Sequence, residues 1–147
     1  MPRFPGPLKT VFLALGVLIF RLLGGRMRVK GRPLLMLTTV GAKSGQLRRT
    51  TLGWFPDEDD RHDSWLVVAS NGGAAQHPLW YVNLAKHPEH ASIAIGQRTF
   101  RVRAESLRGD ARERAWDRVV SLSPGYGDYQ DKTDRQIPIV RLTALGG

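Results

Sequence analysis

From Pro33 to the C-terminus the chain breaks into short runs of β-forming residues, each closed off by glycine, proline or acidic residues. That rhythm points to a small antiparallel sheet or barrel. The runs are residues 34–40, 47–55, 64–70, 91–95, 98–105 and 136–143. Gly96 and Gln97 separate two of them with glycine first, which is the type II′ hairpin pattern. Phe100, Val102 and Ala104 alternate with Arg101, Arg103 and Glu105, so one face of that strand is wet. The acidic residues between 57 and 63 read as a solvated connection. Two helices interrupt the strands. Residues 78–86 carry apolar Leu79, Trp80, Val82 and Leu84 and stop before Pro88. The second begins at Asp110 as N-cap, with Glu113 three residues on, buries Ala115, Trp116, Val119 and Val120, and ends at Pro124. The expected class is mainly β with flanking α.

A chain of 147 residues has room for one core of ordinary size. Apolar residues at 41% and charged residues at 24% exclude a disordered tail and a polytopic membrane protein. The absence of cysteine removes disulfides, thiolate nucleophiles, Cys-ligated zinc and iron–sulfur clusters together. The net charge of +9 is lopsided: residues 1–56 hold ten Lys or Arg and no acid, and the remainder sums to −1. A field concentrated in that third seeks an anionic partner, whether polyphosphate, a polyacidic cofactor tail or an anionic lipid surface. Nucleic acid is disfavoured, because neither an RNP-like aromatic strand nor a recognition-helix pattern is present.

The first 32 residues differ from the rest. An apolar run over residues 11–20 is too short to span a bilayer, and no small-x-small pattern follows it to mark a secretory cleavage site. Two readings stand: a helix docked on the protein's own core, or an anchor at an anionic membrane surface with Arg21, Arg26, Arg28, Lys30 and Arg32 among the headgroups. The expected organisation is therefore a segment 1–32 and a domain 33–147.

Three motifs carry chemistry. The first runs from Thr38 to Arg48, where a strand ends in a glycine-bracketed turn containing Lys43, Ser44 and Gly45, with Arg48 on the returning strand. Backbone N–H groups, a lysine point charge and an arginine fork suit anion binding; a polar hairpin with solvated charges is the plainer alternative. No Walker order is present. The second is Ser70, Asn71, Gly72 and Gly73, leading through His77 and Trp80 into the first helix, where donors converge on a ligand unless the segment is only a tight connection. The third holds Tyr126 and Tyr129, three apart, which lie on one side if the segment is helical and then offer a planar apolar wall; core packing is the alternative. His87 and His90 lack a third partner in the sequence and read as loop residues, so no metal is expected.

Taken together and in order, LTTVGAKSGQLRRT, VVASNGGAAQHPLWYVNLAKHPE and PGYGDYQDKTDRQIPIVRL resemble the deazaflavin-dependent nitroreductase and quinone reductase family. The resemblance implies a split β-barrel of the FMN-binding, pyridoxamine-phosphate-oxidase-like type and coenzyme F420 as cofactor, with FMN as runner-up. It assigns Lys43, Ser44, Gly45 and Arg48 to the cofactor's anionic tail. Ser70, Asn71, Gly72, Gly73, His77 and Trp80 fall beside the deazaflavin, and Ser70, Tyr126 and Tyr129 take the catalytic positions. Ser123, Asn71 and the Gly53–Trp54 pair depart from the family pattern, which bears on substrate preference. The implied activity is hydride transfer to a flat quinone-like acceptor, with nitroaromatics or non-catalytic deazaflavin storage as alternatives. The implied location is cytoplasmic and membrane-associated, peripheral at the inner face.

Overall fold

The structure, a computed structural model, describes residues 28–29, 32–59 and 61–146. Among these, eight strands form one sheet: β1 (Arg28–Val29), β2 (Arg32–Val40), β3 (Leu47–Gly53), β4 (Phe55–Pro56), β5 (Ser64–Val68), β6 (Ala91–Ile95), β7 (Arg98–Ser106) and β8 (Ile139–Ala144). Their order is β1-β2-β6-β7-β8-β5-β4, with β3 also paired to β2. Every pairing is antiparallel. Three helices flank the sheet: α1 (Leu79–Lys86), α2 (Gly109–Leu122) and α3 (Gly125–Asp131). The mainly β class and the split-barrel form are as expected.

Strands β2, β5 and β8 are apolar on consecutive residues because both faces of the sheet are covered there. On one face Leu35, Leu37, Ile93, Val67, Val140 and Leu142 form a core that Leu84 of α1 joins. On the other, Leu66, Val68 and Ile139 pack with Phe55 against Ala115 and Val119 of α2. The sheet thus presents α1 on one side and α2 on the other.

Several expectations are corrected. The run 64–70 leaves the sheet at Val68, because Ser70 turns to φ −74°, ψ −33° and opens a 3₁₀ turn, Asn71–Gly73. On α1 only Asn83 and Leu84 are buried; Leu79 and Val82 are exposed, because the inward face follows Trp80, Asn83 and Leu84, spaced three and four apart. Arg108, not Asp110, is the N-cap of α2, so Asp110 sits in the first turn, where its charge favours the positive helix end. The 57–63 stretch is not wholly solvated. Asp57 is buried, takes Arg141 Nε and Nη2 at 2.7 and 3.0 Å, and accepts the Ser64 hydroxyl at 2.6 Å. Burial alone would raise its pKa, but the bonds from Arg141, Ser64 and the Glu58 amide outweigh it and hold it below the ordinary value.

Membrane association is overturned as an expectation: among the described residues no helix is long and apolar enough to cross a membrane. The apolar run 11–20 lies outside the described residues. The sheet also reaches back past residue 33, since β1 pairs with Arg32 and Pro33.

Candidate functional site

The first motif is a tight loop between β2 and β3. Gly41 N donates to Gln46 O at 2.7 Å, Gly45 N to Gly41 O at 2.9 Å, and Gln46 N to Ser44 Oγ at 3.1 Å. Gly45 stands at φ +70°, the left-handed region. A Cβ on Gly41 would lie 2.5 Å from Ser44 Oγ and 3.2 Å from Gln46 O, so a larger residue there would have to displace the Ser44 hydroxyl. Lys43, Ser44, Gly45 and Arg48 are exposed on it. Two cations and a hydroxyl on an exposed loop fit the anionic oxygens of a cofactor tail.

Asn83 ties that loop to α1. Its Oδ1 accepts Ala42 N at 2.9 Å and its Nδ2 donates to Thr39 Oγ1 at 3.1 Å. Sequence reading passed over Asn83. The available signal was a polar residue three positions after Trp80 on a helix that must bury one face.

The second motif begins where β5 ends. Ser70 is half-buried and its hydroxyl makes no cap bond to the turn that follows. Asn71, Gly72 and Gly73 all have positive φ, at 48°, 65° and 84°. Gly73 is buried against α3, and a Cβ there would meet Tyr129 O at 2.9 Å and Lys132 Cβ at 3.1 Å. The second and third motifs therefore touch at Gly73. His77 is exposed and its ring lies 4.7 Å from that of Tyr81. Trp80 turns toward the core side and packs on the first cluster.

Arg135, which sequence reading passed over, binds the 70–77 loop to the segment after α3. It donates to Ala69 O at 3.2 Å, Ser70 O at 2.8 Å and Ala74 O at 2.9 Å, and meets His77 Nδ1 at 3.0 Å. Burial, seconded by the Arg135 charge, lowers the His77 pKa below its ordinary value.

Tyr126 and Tyr129 lie on α3, half-buried, with centroids 5.5 Å apart and ring planes at 88°. They form a corner rather than the planar wall expected, because edge-to-face contact suits the ring quadrupoles. Tyr126 also meets Phe55 edge-on at 5.5 Å, and both tyrosines border the second core cluster. Burial raises the Tyr126 pKa, with the Arg32 charge acting in the opposite sense. The phenol is a proton holder at neutral pH.

The departures noted in sequence have local causes. A Cβ on Gly53 would lie 3.1 Å from Arg32 Cβ, and Arg32 donates through Nε and Nη2 to Trp54 O at 3.3 and 3.2 Å. The small residue lets Arg32 cross the strand. Ser123 is buried between α2 and α3, and its amide caps α2 by donating to Val119 O at 2.8 Å. His87 and His90 face each other across a turn with centroids 6.1 Å apart. Among the described residues no group of three or more His, Asp or Glu could hold a metal ion.

Comparison with known proteins places these motifs in a family. Residues 18–144 match the model of the F420H(2)-dependent quinone reductases. An F420H(2)-dependent quinone reductase of Mycobacterium tuberculosis strain H37Rv is 37% identical over 131 residues, covering 85% of each chain. The solved structure of an F420-H2 dependent reductase, FDR-A, superposes with a TM-score of 0.65 at 37% identity, covering 76% of this chain and 94% of that one. A domain-swapped dimer gives 0.66 at 31% identity, covering 93% and 99%. A pyridoxamine 5′-phosphate oxidase-type protein of Listeria innocua, at 11% identity and TM-score 0.52 over 91% and 94%, shares the fold alone.

Proposed function

The chain belongs to the F420H(2)-dependent quinone reductase family, and from that premise we infer that it is an oxidoreductase moving a hydride from reduced coenzyme F420 to a quinone-like acceptor. The observation that carries this reading is the family match across residues 18–144, which contains all three motifs. A cytoplasmic location accompanies the proposal.

Bound deazaflavin supplies the hydride; the chain supplies placement, exclusion of water and a proton. In this reading Lys43, Ser44, Gly45 and Arg48 hold the anionic tail, Lys43 as a point charge and Arg48 as a two-pronged donor. Asn71, Gly72, Gly73 and His77 flank the ring system, with Gly72 open to close backbone approach and Gly73 seated against α3. Trp80 borders the same site from its position on the core. The domain 33–147, with β1 added to its sheet, carries these residues.

Reduction of a quinone to a quinol takes up a hydride and a proton. Tyr126 Oη keeps its proton at neutral pH because burial opposes phenolate formation, and Ser70 Oγ is not engaged in capping. This reading makes both of them donors to the acceptor oxygen, with Tyr129 completing the aromatic corner.

Equilibrium titration of the purified protein with F420 and, separately, FMN, read by fluorescence, tests the cofactor assignment. Oxidation of F420H2 followed with a water-soluble quinone tests the reaction. Saturable F420 binding with quinone-dependent turnover is expected. Binding without turnover of any quinone would make the protein a deazaflavin store, and preference for FMN would reassign the cofactor.

A further inference from the structure

Arg135 is the best-connected side chain beside the site, and nothing in the proposed reaction uses it. Its guanidinium spans both ends of the 70–77 loop: Nη1 and Nη2 reach Ala69 O and Ser70 O at the start, while Nε reaches Ala74 O further on. Three carbonyl dipoles aimed at one point repel one another unless a cation sits among them.

Arg135 is itself anchored on α3. Gln130 Nε2 donates to Arg135 O at 2.8 Å, Gln130 Oε1 accepts Ile137 N at 2.9 Å, and Arg135 N donates to Thr133 Oγ1 at 3.3 Å. The loop after β5 and the helix bearing both tyrosines are thereby joined through one residue. Gly73 lies against Tyr129 O at the second point of contact.

The remaining contact has a chemical consequence. A guanidinium has five donors and no acceptor, so at 3.0 Å His77 Nδ1 is the accepting atom. The neutral ring then carries its proton on Nε2. Protonating Nδ1 would remove the bond and set two cations at 3.0 Å. The ring's other neighbour is Tyr81 of α1, in tilted contact at 4.7 Å with planes at 45°, whose hydroxyl is engaged with Ser106 Oγ at 3.2 Å. Arg135 from one side and Tyr81 from the other therefore fix both the tautomer and the orientation of an exposed imidazole.

We propose that Arg135 is a positioning residue that locks the 70–77 loop to α3 and holds His77 as the tautomer whose Nε2–H donates to an acceptor atom of the bound deazaflavin. The proposal rests on the cofactor reading above. It assigns His77 a fixed donor role and makes cofactor affinity fall in acid, as Nδ1 takes up a proton and the loop loosens.

The test combines ¹⁵N NMR of the histidine rings in the full chain with fluorescence titration of F420 against Arg135→Lys, His77→Gln and the double variant. Wild type should show a neutral Nε2–H ring for His77, and Arg135→Lys a mixture of tautomers with easier protonation. Lysine keeps the charge but cannot reach three carbonyls and a ring at once. Each single variant should raise the F420 Kd about tenfold, as for loss of one charged hydrogen bond, and the double variant should be little worse than either alone. His77→Gln should also flatten the acid limb of the binding profile. An Nδ1–H ring in the wild type, or additive losses in the cycle, overturns the proposal. If Arg135→Lys fails to fold, His77→Gln leaves the carbonyl bonds in place and decides alone: a Kd within about twofold of wild type overturns the donor role. Wild-type protein that does not bind F420 overturns that role together with the cofactor reading, whereas the tautomer measurement still tests the Arg135–His77 contact.

Discussion

Replacing Asn83 with alanine probes how the anion loop is held. Asn83 is 7% exposed and makes two long-range side-chain bonds, to Ala42 N and Thr39 Oγ1. Thr39 is 1% exposed, so its hydroxyl gains no water when the amide is removed. Leaving a buried polar group unpaired costs about 1–3 kcal/mol. Ala42 is only half-buried and water can reach its amide, so its loss falls at the low end of that range. The two together give a destabilisation of about 2–4 kcal/mol, which at about 3 °C per kcal/mol for a chain of this size lowers Tm by roughly 6–12 °C. Urea unfolding followed by tryptophan fluorescence measures the first quantity and calorimetry the second. F420 affinity should weaken as well, because Lys43 and Ser44 follow the released Ala42 directly in the chain. Thr39→Val in the Asn83→Ala background should cost less than in the wild type, since the hydroxyl has already lost its partner. A destabilisation under about 0.5 kcal/mol, with F420 affinity unchanged, would refute the tether.

Lys43→Ala and Arg48→Ala should each weaken F420 binding by about 1–3 kcal/mol at low ionic strength and by less in high salt, as measured by titration at two salt concentrations. Tyr126→Ala and Tyr129→Ala should lower quinone turnover more than F420 affinity in steady-state kinetics, and Tyr126→Phe should separate the ring from its proton. The Asp57 pKa lies below the ordinary 3.8, so the Arg141 pairing contributes stability fully above that pH and loses it as pH falls through the folded value. Acid unfolding of Asp57→Asn should therefore show a flatter limb, whereas Asp57→Ala, which leaves Arg141 with only Glu105 at 3.3 Å and Glu58 at 3.9 Å, should cost about 2–3 kcal/mol at neutral pH by urea titration.

The β-run rhythm fixed most strands within a few residues, because strand residues must satisfy a local backbone period and glycine and proline end it in place; the run 47–55 instead divides at Trp54 into β3, paired with β2, and β4, paired with β5. The hairpin at Gly96 shows the same locality: the glycine takes φ +60°, as a type II′ turn requires at its first position. Loop chemistry at residues 41–48 and the glycine series at 72–73 were legible for that reason too. What failed were the readings that depend on what lies across the molecule. Asp57 looked solvated among acidic neighbours, yet Arg141 lies 84 positions away in sequence and draws it into the interior. Apolar Leu79 and Val82 looked like a core face, but α1 is rotated so that Asn83 can reach Thr39 across 44 residues. Arg135 gave no signal at all, because a side chain that binds carbonyl oxygens recognises the path of another segment rather than any residue type. Sequence by itself determined the elements, the charge field and the family; tertiary structure decided which polar groups are partners, since long-range hydrogen bonds depend on distances that only the assembled sheet sets.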